Sequence, residues 1–239
     1  MRLDKALADA GLADSRQRAQ VLVMAGSVRV NGETERRPDR SVRAEDLLEL
    51  EQGEGWASRG ALKLLPVLAQ LEIDPEDRVC ADIGASTGGF TDVLLRQGAK
   101  RVFAVDVGRG LIDWRLRQDP RVTLLERTNA RNLESFPEPV SLVLIDVSFI
   151  GLATVLPAVL RSAPDALVLA LFKPQFEVGR EQVGKGGIVR DRDAITAARA
   201  RFEDWCQDNG YRVEGHALAG VAGADGNQEH FYLLVPGES

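Results

Sequence analysis

With 239 residues, 44% of them hydrophobic, the chain has the length for one large domain, or one of ordinary size plus a small one, with a real core. Its net charge of −6 argues against adhesion of the whole surface to nucleic acid, DNA included, but leaves room for a local basic patch. The two cysteines, Cys80 and Cys206, are too far apart for a metal spacing; Arg2, Asp4 and Lys5 interrupt any signal peptide; and no run of 18 apolar residues exists. These features lead us to expect buried thiols, no metal site, no membrane span and a cytoplasmic protein.

Leu3, Ala6, Leu7 and Ala10 have helical spacing, with Gly11 as a stop. Asp14 or Ser15 can cap a second helix whose apolar face is Ala19, Leu22 and Val23, ending at Gly26. Val28-Arg29-Val30 alternates, Asn31-Gly32 is a hairpin turn, and Leu47 to Leu50 closes as a strand. Residues 1–43 carry nine Lys/Arg against six Asp/Glu, a local positive excess that reads either as phosphate contact or as a solvated face. The order of Arg2-Leu3-Asp4, Gly11-Leu12, Ser15-Arg16, Ala19, Gly26, Val28, Val30-Asn31-Gly32 and Pro38 resembles the S4-like RNA-binding domain. That resemblance implies RNA contact through the second helix and its neighbours, with Arg16 and Arg18 as leading phosphate ligands and Arg2 and Lys5 beside them.

Gly53-Glu54-Gly55 reads as a linker, so we place an S4-like domain at 1–52, a linker at 53–57 and a second domain at 58–239. Ser58 can cap a helix from Arg59 to about Leu71, with Leu64, Leu65 and Leu68 on its apolar face and Pro66 as a possible kink. Arg59 and Lys63 fall on the other side, where periodicity alone makes them solvated. Next comes a strand, Arg78 to Ala81, then Asp82-Ile83-Gly84-Ala85-Ser86-Thr87-Gly88-Gly89-Phe90, then a helix stopped by Gly98. Glycines between strand and helix let a ligand approach the backbone. Ser86 stands where the dinucleotide fingerprint needs its second glycine, which favours a nucleoside without pyrophosphate, and S-adenosylmethionine is the candidate. A second strand ends at Asp106, about 20 residues on, where such folds place a ribose-binding acid.

Further strands follow at Val122–Leu125, Leu142–Ile145 (ending at Asp146) and Ala166–Phe172 (ending at Lys173-Pro174). A helix spans Asp193–Asn209, and Arg212–Leu218 and Gln228–Val235 read as the last strands. The alternation predicts an α/β fold, a Rossmann-like parallel sheet with helices on both faces. Asp82, Asp106, Asp146 and Lys173 all fall at carboxyl ends of strands, the functional edge of such a sheet.

Along nearly its whole length the chain resembles the TlyA (hemolysin A) family, an S4-like domain fused to an FtsJ-like, class I ribosomal RNA 2′-O-methyltransferase. The resemblance is carried by Ser58-Arg59-Gly60 with Lys63-Leu64, the turn from Gly84 to Thr91, Asp106-Val107-Gly108, Glu126 to Arg131, Asp146 to Ile150, Lys173 to Glu177, Gly186-Gly187, and Gly226-Asn227 with Glu229. It implies a catalytic tetrad of Lys63, Asp146, Lys173 and Glu229. For S-adenosylmethionine it implies Asp82, Gly84, Ser86, Gly88, Asp106, Asn129, Ala130 and Asp146, and it adds Arg59 to the RNA contacts. Ribosomal RNA or a ribosomal subunit is the implied partner. The stretch after the last strand is short, as in the family's short form, so the expected target is a cytidine ribose in large-subunit RNA.

Methyl transfer to a ribose hydroxyl requires aligned oxygen, carbon and sulfur and a stronger nucleophile than a neutral alcohol. Lys173 would be the base, oriented by Asp146, with Lys63 and Glu229 positioning the hydroxyl. A second cation and the sulfonium favour a neutral lysine, while the two carboxylates oppose it. Phe149 could pack near the methionine, against the target base or in the core. Two other classes stand beside this reading: a cytolysin, which needs apolar spans or barrel strands, and a non-catalytic RNA-binding assembly factor.

Overall fold

The computed structural model describes residues 1–13, 15–24, 26–50, 55–223 and 225–237. The expected Asp14 cap, residues 53 and 54 of the expected linker and the boundary at residue 52 lie outside them.

The N-terminal unit runs α1 (Leu3–Asp9), α2 (Arg16–Met24), β1 (Val28–Val30), β2 (Glu33–Glu35) and β3 (Leu48–Leu50). Its antiparallel sheet has the order β2-β1-β3. Asn31 and Gly32 both take positive φ, +55° and +82°, the backbone that a two-residue hairpin requires. Leu3, Leu7, Ala19, Val23, Val28 and Val30 form a small separate core. Under it lies a buried charge. Asp4 is fully covered, yet it accepts hydrogen bonds from Arg2 (3.0 and 3.1 Å), Arg16 Nε (3.0 Å) and Gln20 Nε2 (2.7 Å), which ties α1 to α2.

The second unit contains α3 (Gly60–Gln70), β4 (Val79–Ile83), α4 (Gly89–Arg96), β5 (Arg101–Asp106), α5 (Trp114–Gln118), β6 (Val122–Glu126) and β7 (Leu142–Ile145). It continues with α6 (Leu152–Ser162), β8 (Leu167–Phe172), α7 (Pro174–Glu177), α8 (Arg192–Asp208), β9 (Tyr211–Leu218) and β10 (His230–Pro236). Seven strands make one sheet in the order β6-β5-β4-β7-β8-β10-β9. Alternate residues of each central strand serve opposite faces. Cys80, Val102, Leu144 and Leu169 meet α3 and α4, and Ala81, Phe103, Val143 and Val168 meet α6 and α8. Both faces are covered, which is why these strands read as continuous apolar runs. Among the described residues no helix is long and apolar enough to cross a membrane.

One expectation is corrected. The sheet is not wholly parallel, because β10 pairs antiparallel with both β8 and β9. Among the described residues of 219–229 there is no crossover helix, and without one two successive strands return as a hairpin. The direction of β10 has a positional result. His230 pairs with Phe172, so the residue before β10, Glu229, arrives beside the residue after β8, Lys173.

The Arg2 guanidinium, with Gln20 and Arg16, outweighs burial and holds the Asp4 carboxyl well below the usual carboxylate range. A depressed folded-state value gives stability that is complete above the unfolded value, near 3.9, and lost as pH falls below it. Asp4→Ala should therefore destabilise the N-terminal unit by about 1–3 kcal/mol at neutral pH. The gap to wild type should narrow toward pH 3. Urea unfolding at the two pH values measures both.

Candidate active site at the carboxyl edge of the sheet

The turn after β4 is shaped by close approach. Gly84 has φ +88°, and a Cβ there would stand 2.2 Å from the carbonyl oxygen of Asp146. Gly88, with φ +94°, leaves no space either, since its Cβ would meet Leu116 at 2.3 Å. Ser86 N donates to Asp106 Oδ2 at 2.8 Å and Gly108 N to Oδ1 at 2.7 Å, so the acid at the end of β5 organises both loops. Between them lies a small hollow, lined among others by Ala85, Ser86, Asp106, Leu111, Ile112 and Glu126.

Asp82 is buried at the end of β4, where its Oδ2 accepts from Thr91 N (2.9 Å) and Thr91 Oγ1 (2.6 Å). Its Oδ1 has no partner. Burial pushes this carboxyl up to about 7, against the Thr91 bonds and with the help of nearby Asp146. Asn129 and Ala130 are not among the lining residues. Asn129 caps the short turn at 130–132, and Thr128 N donating to Asp106 O (2.9 Å) fastens that segment to β5.

Four charged side chains meet at the neighbouring strand ends. Lys173 is in ion-pair contact with Asp146, and its Nζ donates to Ser148 Oγ at 3.1 Å. Lys63, from α3, pairs with Glu229 at 2.6 Å. Lys173 is 8% and Glu229 2% exposed at the side chain. Burial alone would raise the Asp146 pKa, but Lys173 and then Lys63 outweigh it and leave it lowered. For Lys63 burial acts downward, and the charges of Asp146 and Glu229 reverse it to a raised value. Glu229 is raised by burial despite both lysines. Each pair therefore feels the charges of the other. Lys63, which periodicity alone left to solvent, faces this cluster.

Three parts of the site were singled out by no periodicity, although Ser148 and Asn227 lie in segments that carry the resemblance. Ser148 is a single polar residue in a loop. Gly220 N donates to Lys63 O (3.0 Å), holding the segment before Glu229 to α3. Buried Asn227 accepts from Val189 N (2.9 Å) and donates to Gly187 O (2.8 Å), joining the 184–190 loop to the same segment. Phe149 is corrected with respect to core packing: it is 92% exposed, at φ +67°, against the ring of Phe176.

The basic residues divide. Arg2 and Arg16 are held by Asp4, and Lys5 is exposed. Arg59 approaches Gly26 of the N-terminal unit: a Cβ on Gly26 would lie 3.3 Å from an Arg59 nitrogen. Arg18 reaches the second unit, donating to Leu111 O and pairing with Asp113.

Comparison with known proteins gives two family matches, an FtsJ-like methyltransferase at residues 56–235 and an S4 domain at residues 1–48. The 16S/23S rRNA (cytidine-2′-O)-methyltransferase TlyA of Mycobacterium tuberculosis is 45% identical over 243 residues, covering 98% of this chain and 89% of the relative. The 23S rRNA (cytidine-2′-O)-methyltransferase TlyA of Campylobacter jejuni is 38% identical over 181 residues, covering 75% and 71%. A solved structure of a candidate hemolysin from Streptococcus thermophilus is 41% identical, with a TM-score of 0.77, over 100% of this chain and 89% of that one.

Two substitutions check the geometry. Gly84→Ala should displace the Asp146 strand end and lower the melting temperature, because backbone cannot yield as a flexible side chain can. Asp82→Asn addresses the raised carboxyl: a raised folded-state value stabilises fully below pH ~4 and is lost as pH rises through about 7. From about pH 5 to pH 8 the variant should therefore lose less stability than wild type by thermal unfolding. Parallel declines would show that Asp82 does not titrate there.

Proposed function

The chain belongs to the FtsJ-like methyltransferase family, with an S4 domain ahead of the methyltransferase unit, and we propose that it methylates the 2′-hydroxyl of a cytidine ribose in ribosomal RNA from S-adenosylmethionine. The observation that carries the reading is the buried cluster of Lys173 with Asp146 and Lys63 with Glu229, set beside the Gly84 turn. Large-subunit RNA is the proposed target, because 23S RNA is the substrate that the names of both relatives share. The protein then acts where ribosomes are, in the cytoplasm.

The residues around the hollow suit a nucleoside. A side chain on Gly84 or Gly88 would fill the turn, and Asp106 has acceptor capacity left after its two backbone bonds. Asp106 would hold the ribose hydroxyls, with Asp82, Gly84, Ser86 and Gly88 along the turn and Asn129 and Ala130 toward the base. Bound there, S-adenosylmethionine supplies a methyl group on a sulfonium, a carbon electrophile that needs no metal. The chain supplies the rest. Lys173 Nζ takes the proton of the RNA hydroxyl as its oxygen becomes the nucleophile. Asp146 stabilises the ammonium that forms and fixes its direction. Lys63, pinned by Glu229, orients the hydroxyl oxygen. Phe149, an exposed ring beside Phe176, offers a face on which the target base can stack. Arg2, Lys5, Arg16 and Arg59 serve phosphates.

Lys173→Ala should leave cofactor affinity nearly intact and lower single-turnover methylation by about 10²–10⁴-fold. Lys173→Arg should fail as well, since a guanidinium cannot accept a proton. Near-full activity in Lys173→Arg would mean that the residue supplies charge rather than basicity.

Asp106→Ala should weaken S-adenosylmethionine binding in calorimetry, and unchanged affinity would remove it from the site. Labelled methyl should enter large-subunit RNA from isolated subunits and leave small-subunit RNA unlabelled. Equal labelling would refute the subunit assignment.

A further inference from the structure

Among the described residues Lys173 Nζ meets two polar partners, the Asp146 carboxylate and Ser148 Oγ, to which it donates at 3.1 Å. The centre of the Phe176 ring lies 6.0 Å from it. Ser148 is exposed, in the loop between β7 and α6. That loop is nevertheless fixed. Asp146 N donates to Ile83 O (2.9 Å), which fastens its start to β4. Glu177 holds its far end: Leu152 N, the first of α6, donates to Glu177 Oε1 at 2.7 Å, and a Cβ on Gly151 would lie 3.1 Å from Glu177 Oε2. Between these ends Phe149 takes φ +67°, a backbone that a bulky residue keeps only where its surroundings hold it. Its ring centre is 5.4 Å from that of Phe176. Phe176 and Glu177 belong to α7, which begins directly after Lys173. The loop that carries Ser148 and the segment that carries Lys173 are therefore braced against each other, and Ser148 Oγ keeps its place on the amine.

A lysine ammonium has three N–H groups, whereas the neutral amine has two and a lone pair. These take the three staggered positions about the last side-chain bond. With Asp146 as the sole partner, one N–H turns to the carboxylate and the lone pair is shared between the two remaining positions. A second acceptor removes that choice. We infer that Ser148 is a positioning residue: by accepting the second N–H it leaves the Lys173 lone pair on the third side, for the incoming ribose hydroxyl. The hydroxyl proton passes to that pair, and its bonding electrons stay on the oxygen. The ammonium so formed keeps both earlier contacts, so nothing has to rotate during the transfer. This rests on the reading of Lys173 as base proposed above.

The test is single-turnover methylation of isolated large ribosomal subunits by the full chain with labelled S-adenosylmethionine. Ser148→Ala should lower the maximal rate roughly tenfold, the worth of one hydrogen bond. The half-saturating concentrations of subunit and cofactor should not change. Ser148→Thr keeps the hydroxyl and should recover most of the rate; Ser148→Cys, similar in shape but a weak acceptor, should not. In a Lys173→Ala background Ser148→Ala should cost nothing more, because the hydroxyl acts only through the amine. A Ser148→Ala rate like that of wild type would overturn the inference. So would an equal loss in the Lys173→Ala background, or a loss confined to half-saturation, since the residue would then shape the loop or contact the RNA. Near-full activity of Lys173→Arg would instead remove the base reading, and this inference with it.

Discussion

Two ammonium and two carboxylate groups can be withdrawn from water at one sheet edge only if they are paired. Removing one member of a buried pair costs about 3–5 kcal/mol, because its partner is left as an uncompensated charge. Here the members come from distant elements: Lys63 from α3, Asp146 after β7, Lys173 after β8 and Glu229 before β10. The strand directions must therefore agree with the pairing. Had β10 run parallel to β8, Glu229 would sit at the opposite edge, about 20 Å away for a strand of this length. The hairpin β9–β10, the insertion of β10 beside β8 and the anchoring of Gly220 to Lys63 together place that carboxylate.

Much of this was legible in the sequence, for a simple reason. A strand buried on both faces is a run of apolar residues, and a charged residue that closes such a run stands at an edge. Asp82, Asp106, Asp146 and Lys173 were found in that way. The run from Gln228 to Val235 was legible as a strand but not in its direction, because an apolar run reads the same both ways. The five-residue α5 is too short to show a period. Ser148 and Asn227 act through one and two loop bonds, which leave no periodic pattern. Lys63 gained its significance from the local resemblance, since its helical position alone pointed to solvent.

The basic N-terminal segment shows the limit of counting charge. Arg2 and Arg16 are directed inward to Asp4, Arg40 to Glu35, and Arg18 to the neighbouring unit. Each of these pairings fixes the fold before it meets any phosphate. A net excess of positive residues therefore indicates a surface potential and does not identify the ligands. The arginines bonded to buried carboxylates are also the ones whose direction is set in advance, which lowers the entropy lost when a partner arrives.

The position of β10 bears on how the molecule is made. It lies between β8 and β9 although it follows both in the chain. The sheet can assemble from β4 to β8 as residues emerge, with neighbours close in sequence, but its final gap closes only when residues 230–236 are available. Glu229 arrives with that strand. A nascent chain with most of the fold in place would still lack one of the four charges, leaving Lys63 without its carboxylate at a site where isolated charge is costly. Completion of the active edge is thus a late event in synthesis, and the enzyme acquires its chemistry as it acquires its last internal strand.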